Sequence, residues 1–315
     1  MLFFPYKMNY YGGTETIARY VEENILSECK VLRSVQWFII PGHIFDVNLD
    51  KFTIVWSHLP SDQILKDHYM YQQFFTNKEI SEKINIYLTQ SVWHKNDLHK
   101  TFDIPLEKIY VIPNGINVNE IKSSQNKKIK LLYTSDCKRG LRVLNKSIKY
   151  IKDKDFEITI KGCNCGKCFN LFNKINKKIK TTGYLSREEY LNQLSTHNIL
   201  AYPCNWNETF CIVAAEAMAA GMKIVTTNAG ALEETTNGFA TIVKIPKNLF
   251  KKYRLSKKFG KQLSVEIKKY RDGFDPSLQI KLANDLYSWE QVKQRWINFN
   301  KFVENKILLE SLNQN

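Results

Sequence analysis

Seven residues separate Glu208 from Glu216 in Asn207-Glu208-Thr209-Phe210-Cys211-Ile212-Val213-Ala214-Ala215-Glu216-Ala217-Met218-Ala219-Ala220-Gly221. The alanine-rich run predicts a helix from Thr209 to Ala220, entered from a strand. At the mouth of such a helix the N–H groups of Thr209, Phe210 and Cys211 lack helical partners. With the helix dipole they suit a diphosphate. Glu208 then reads as a ligand contact or as a capping acid. Glu216 falls about two turns further in, on an otherwise apolar helix, where a carboxylate needs a partner. Paired sugar hydroxyls would serve, and so would a core Arg or Lys.

Four further groups could do chemistry. Gly12-Gly13, between an apolar start and an amphipathic stretch, lets backbone come close to a ligand. Ser135-Asp136-Cys137-Lys138-Arg139-Gly140-Leu141 follows a strand and opens a helix, so Lys138 and Arg139 could meet a phosphate there or stand solvated. His58 ends the run Ile54-Val55-Trp56-Ser57, where it is either a site residue or a structural hydrogen-bonder. Cys163, Cys165 and Cys168 resemble a metal cluster, but tetrahedral zinc needs a fourth ligand and none is adjacent, so free thiols are the expectation.

These residues need strands and helices in alternation to position them. Short β-rich runs at Val35 to Ile40, Phe52 to Trp56, Ile84 to Thr89 and Ile109 to Ile112 alternate with helical stretches at Ile64 to Phe75 and Val92 to Phe102. After the polar segment Asn119–Lys128 the pattern restarts. Strands are expected at Ile129 to Thr134, Phe156 to Ile160, Ile199 to Tyr202 and Lys223 to Thr227, with a helix over Arg139 to Ile151 and a helical tail. Such alternation means parallel sheets with crossover helices. The expected fold is α/β, with two doubly wound Rossmann-like domains facing across a cleft. Residues 1–118 form the first, 119–286 the second, and 287–315 a final helix. Ligands bind beyond the carboxyl ends of such strands.

Composition narrows the class. The 315 residues carry a net charge of +15, but residues 1–122 net −2 and the remainder +17. That asymmetry reads as a lysine-rich solvated surface, with contact to an anionic membrane or acceptor as the alternative, and it disfavours nucleic acid as the main partner. Seven cysteines do not form a disulfide framework, the start is too short for a secretory signal, and no long apolar run is present. The expectation is a cytoplasmic protein, with peripheral membrane contact as the variant reading.

The Glu-x7-Glu stretch and its surroundings closely resemble the signature of retaining glycosyltransferases of the GT-B fold, particularly glycosyltransferase family 4. The resemblance extends to Tyr202-Pro203-Cys204-Asn205-Trp206, Gly230-Ala231-Leu232-Glu233-Glu234, Gln90-Ser91-Val92-Trp93-His94-Lys95 and Val111-Ile112-Pro113-Asn114-Gly115-Ile116. Tyr287-Ser288-Trp289-Glu290 resembles the start of the family's last helix, which crosses back to the first domain. The resemblance implies that Glu208 touches donor-sugar hydroxyls and that Glu216 holds the ribose. It further implies that Gly12 and Gly13 lie beside the donor phosphates and that His58 lies near the transferred sugar. Family members often carry an Arg and then a Lys before the glycine; here Arg139 takes the pre-glycine position, no Arg precedes it, and Lys138 stands in.

The activity implied is transfer of a sugar from a UDP-, GDP- or ADP-sugar to a glycan, glycoprotein or other hydroxyl acceptor. Configuration is retained by front-face attack, and neither a bound metal nor a tightly held cofactor is needed. The alternatives are a GT-B sugar-nucleotide epimerase or phosphorylase, or a non-catalytic protein that binds nucleotide or nucleic acid.

Overall fold

Among the described residues every strand pairs in parallel, and helices fill the connections. The computed structural model describes residues 13–40, 48, 50–67, 69–123, 128–161, 179–183, 185–246 and 253–312. Gly12, Cys163, Cys165 and Cys168 lie outside them. The chain forms two units, Met1–Gly115 with Trp289–Asn315, and Ile116–Ser288.

In the first unit, β1 (Gln36–Ile40), β2 (Thr53–Ser57), β3 (Ile86–Thr89) and β4 (Ile109–Val111) lie side by side in chain order. Every residue of β2 and β3 is buried, as expected of parallel strands covered on both faces. Phe38, Val55, Phe74, Phe75, Tyr87 and Leu98 build one core. Elsewhere in this unit the Trp289–Leu312 helix brings Trp296 within 5.1 Å of Trp56 and 6.2 Å of Trp37, ring centre to ring centre. Gly115 is required beside Trp289, because a Cβ there would collide with the indole. The stretch expected as one helix from Ile64 to Phe75 is two, Ser61–Asp67 and Tyr69–Thr76.

The second unit has six strands: β5 (Ile129–Thr134), β6 (Phe156–Lys161), β7 (Ile179–Thr182), β8 (Ile199–Tyr202), β9 (Lys223–Thr227) and β10 (Ala240–Val243). Their order is β7-β6-β5-β8-β9-β10, the Rossmann order. The order reverses between β5 and β8, so the crevice outside the carboxyl ends of these two strands is where such a sheet takes a ligand. β7 and β10, the two edges, are only four residues each and escape the sequence pattern.

Two helices start later than expected. The helix predicted over Thr209 to Ala220 runs Ile212–Ala219, because Cys211 takes a left-handed φ of 79° and Glu208 bridges to Gly230 instead of entering the helix. The helix predicted over Arg139 to Ile151 is interrupted at Gly140, φ 115°, between a 3-10 turn at Cys137–Arg139 and the helix Leu141–Ser147.

Candidate active site

The loops after β5 and β8 meet at the reversal point. Arg139 comes from the first, and its Nη1 donates to Glu208 Oε1 from the second at 2.8 Å. Tyr202, the last residue of β8, donates its hydroxyl to the same oxygen at 2.6 Å, and the Cys204 thiol approaches it at 3.7 Å. All three donors converge on Oε1; among the described residues none reaches Oε2. The carboxylate is thus fixed by one oxygen and can still accept a bond on the other.

Glycines allow this approach. A Cβ on Gly140 would strike the Pro203 carbonyl, and one on Gly230 would strike the Glu208 backbone. Ala231 N–H donates to the Glu208 carbonyl at 2.7 Å, so both the backbone and the side chain of Glu208 are held. Burial opposes the charge on Arg139, but Glu208, Tyr202 and Cys204 together outweigh it and raise the guanidinium pKa. Trp206 lies 5.6 Å from that guanidinium. Burial and the Glu208 charge keep the Tyr202 hydroxyl and the Cys211 thiol protonated, and burial pushes Cys204 up to about 12. These thiols are poor nucleophiles.

A second cluster surrounds Glu216, which is 2% exposed. Arg187 Nη1 donates to its Oε1 at 2.5 Å and the Tyr190 hydroxyl to its Oε2 at 2.6 Å. The source of both donors is local. Ser186 and Glu189 form a reciprocal capping box that starts the helix Arg187–Thr196, and residues three apart share a helix face. Lys161, the last residue of β6, rests its ammonium 3.6 Å from the centre of the Tyr190 ring. Burial and Arg187 push its pKa down to about 8, against a smaller pull from Glu216. A groove of about 680 Å³ opens beside Arg187, lined also by Asn119, Glu120, Lys122, Glu188 and Asn192.

The site residues expected from sequence therefore divide. Arg139 and Glu208 come together, with Cys211 close to Glu208. Lys138 is exposed beside them, its backbone N–H held by Asp136 Oδ1 at 2.8 Å. Glu216 pairs with an arginine, as in the alternative the sequence left open, but Arg187 is half exposed and not a core residue. The donors expected from a helix start at Thr209–Cys211 are displaced: Phe210 is buried against Tyr287, its carbonyl bonded by Thr235, and among the described residues the first-turn N–H groups without an intrahelical partner are those of Ile212 and Val213. Gly13 opens the helix Gly13–Asn24.

His58 follows β2 in the first unit, its N–H donating to the Ile40 carbonyl at 2.6 Å and its ring 4.7 Å from Trp56. It is half-buried but densely surrounded, and desolvation, then the nearby His94, push its pKa down to about 3. The imidazole is neutral at pH 7. Sequence reasoning missed Arg187, Tyr190 and Lys161. The Ser-x-x-Glu capping box at Ser186 was the readable signal for the first two.

Residues 117–262, within the second unit and less than half of the chain, match the family model described as Glycosyl transferases group 1. No curated protein gives a significant match. The chain is similar in structure to the pneumococcal O-GlcNAc transferase GtfA in complex with UDP and GlcNAc, with TM-score 0.63, 15% identity and 80% of this chain covered. It spans 52% of that longer chain. It is also similar to Anabaena HepE in complex with UDP, with TM-score 0.65 and 15% identity over 79% of this chain and 72% of that one. Sucrose-phosphate synthase from Thermosynechococcus elongatus aligns at TM-score 0.64 and 14% identity, over 96% and 82% of the two chains. At such identities the likeness is one of fold. The chain has the α/β architecture of the GT-B glycosyltransferases, two units each built on a parallel sheet, and the group 1 match falls within the second.

Proposed function

We propose that the protein is a retaining glycosyltransferase of family 4 type, moving a hexosyl group from a UDP-, GDP- or ADP-sugar to a hydroxyl of a glycan or glycoprotein in the cytoplasm. The observation that carries this reading is the Arg139–Glu208 pair at the reversal point of the second sheet, with Glu208 Oε2 left open to a sugar hydroxyl. The group 1 match over the same residues, and UDP in the solved structures of similar fold, support it.

In this reading the diphosphate lies against the Ile212 and Val213 amides and Arg139. Only Nη1 of that guanidinium is committed to Glu208, so its other N–H groups remain for phosphate oxygens. Lys138 adds a second cation. The bond between the anomeric carbon and the β-phosphate oxygen breaks, and the acceptor oxygen forms its bond on the same face. The acceptor proton passes to the departing phosphate. Donors already in place where that negative charge develops lower the barrier most. No metal is required, so a chelator leaves the rate unchanged; loss of activity restored by Mn²⁺ would contradict this. Glu216 takes the ribose by exchanging Arg187 for a hydroxyl pair, and His58 contributes to turnover and not to nucleotide affinity.

A thermal-shift screen across UDP-, GDP- and ADP-sugars tests the reading, since a ligand that binds only the folded state raises the melting temperature. One donor class is expected to stand out, and NMR of the product should show the donor's anomeric configuration. A flat screen, or an inverted product, would overturn it.

A further inference from the structure

The second unit carries a basic face that the proposed transfer does not use. The helix Tyr253–Arg271 packs on Leu141–Ser147, so closely that a Cβ on Gly260 would strike the Ser147 carbonyl. Residues 141–150 and 253–271 hold ten Lys and Arg against one carboxylate, Glu266. Glu266 is 2% exposed and turned inward, where Lys223 and Lys269 bind it at 3.1 and 2.9 Å.

Lys257, Lys258, Lys261, Val265 and Lys268 are all exposed and recur at spacings of three and four, which places them on one face of a helix about 28 Å long. Arg142, Lys146 and Lys149 are exposed on the neighbouring turns. Among the described residues no carboxylate pairs with Lys257, Lys258, Lys261, Lys268, Arg142 or Lys146. Mutual repulsion of this kind favours a partner that supplies negative charge.

The form of the face selects the partner. Single-stranded nucleic acid is held by a groove with aromatic stacking platforms. Here two helices lie side by side, and the two tyrosines described beside or within them are occupied: Tyr150 lies under Lys149 and Tyr270 against Phe274. A bilayer requires only closely spaced cations on an open surface, and Val265, 45% exposed among the lysines, is an apolar contact at its centre. No described helix is long and apolar enough to cross a membrane, so contact through this face is peripheral.

We propose that the Tyr253–Arg271 helix, with Arg142, Lys146 and Lys149, docks the second unit on an anionic lipid surface. The inference is independent of glycosyl transfer. Arg139 and Glu208 sit at the carboxyl edge of the sheet, while the basic helices cover one of its faces, so docking leaves the candidate site uncovered.

Co-sedimentation of the full chain with vesicles tests it. Binding is expected to phosphatidylcholine mixed with phosphatidylserine and not to phosphatidylcholine alone. It should be released at about 0.5 M salt, where screening shortens to a few Å. Replacing four lysines together, Lys257→Glu, Lys258→Glu, Lys261→Glu and Lys268→Glu, should lower the partition coefficient by about two to three orders of magnitude. The four Lys→Arg changes should preserve it. Melting temperatures of both variants identify a fold defect, in which case four Lys→Gln changes replace the glutamates. No binding to the anionic vesicles at low salt, or undiminished binding by folded charge-removed protein, overturns the proposal. So does preference for an RNA duplex over vesicles in direct competition.

Discussion

Arg139 and Glu208 lie 69 positions apart in sequence and 2.8 Å apart in space, joined where the strand order of the second sheet reverses. Removing the arginine does two things: it takes a cation from the diphosphate and leaves Glu208 anchored by Tyr202. We expect Arg139→Ala to lower turnover by about 10²–10³, as for loss of one preorganised donor. Steady-state rates on the donor identified by the thermal-shift screen check this, and a wild-type rate would refute the assignment.

Glu216 offers a cleaner separation of binding from stability. Glu216→Gln keeps the size of the side chain and an acceptor for Tyr190 but loses the charge that holds Arg187 and, after the exchange, would hold a ribose. Nucleotide affinity is expected to fall about tenfold, the range for a hydrogen bond to a charged group. Titration calorimetry with UDP decides; unchanged affinity removes the ribose role and leaves Glu216 a structural partner of Arg187.

Lys161 titrates within a pH range where binding can be measured. Its pKa of about 8 means that the charge is present at pH 7 and mostly gone at pH 9, while Arg187 keeps its charge throughout. An anionic nucleotide beside Tyr190 should therefore bind several-fold more weakly as pH rises through 8, and Lys161→Gln should flatten that dependence. A pH-independent affinity in the wild-type protein places the nucleotide elsewhere.

Three histidines set the acid limit. His58 and His94 are pushed down to about 3 and His197 to about 4, each chiefly by burial. The unfolded chain binds protons near pH 6.5 that the folded chain refuses, so stability falls as pH drops below about 6.5 and keeps falling towards those lower values. Melting temperature should decline steadily from pH 6.5 to 4, and His197→Gln should reduce the slope. A flat profile would show that these rings are charged in the folded state.

Gly140 tests the turn that places Arg139. A φ of 115° and the Pro203 carbonyl leave no room for a methyl group, so Gly140→Ala should cost about 1–3 kcal/mol and lower the melting temperature by several degrees. A melting point within a degree of wild type would mean that the turn rearranges freely.

Much of this was legible in the sequence. The parallel α/β pattern could be read because buried strands such as Thr53–Ser57 and Leu131–Tyr133 are nearly continuous apolar runs between helical stretches. The loops holding Arg139 and Glu208 followed from the rule that ligands gather at carboxyl ends of strands. What was not legible depended on contacts or on backbone choices that residue type does not specify. Nothing about a cysteine announces a left-handed φ, so Cys211 postponed the helix and moved its free amides to Ile212 and Val213. Which side chain would satisfy Glu216 depended on Arg187 arriving from a helix 29 residues away.

The Trp289–Leu312 helix carries a consequence for synthesis. Trp296 completes the aromatic cluster of Trp37 and Trp56, so β1 and β2 lack part of their own core until the Trp289–Leu312 helix has left the ribosome. The unit Ile116–Ser288 can fold while those two strands wait, and a translation product interrupted before Trp289 would expose two indoles to chaperones and proteases.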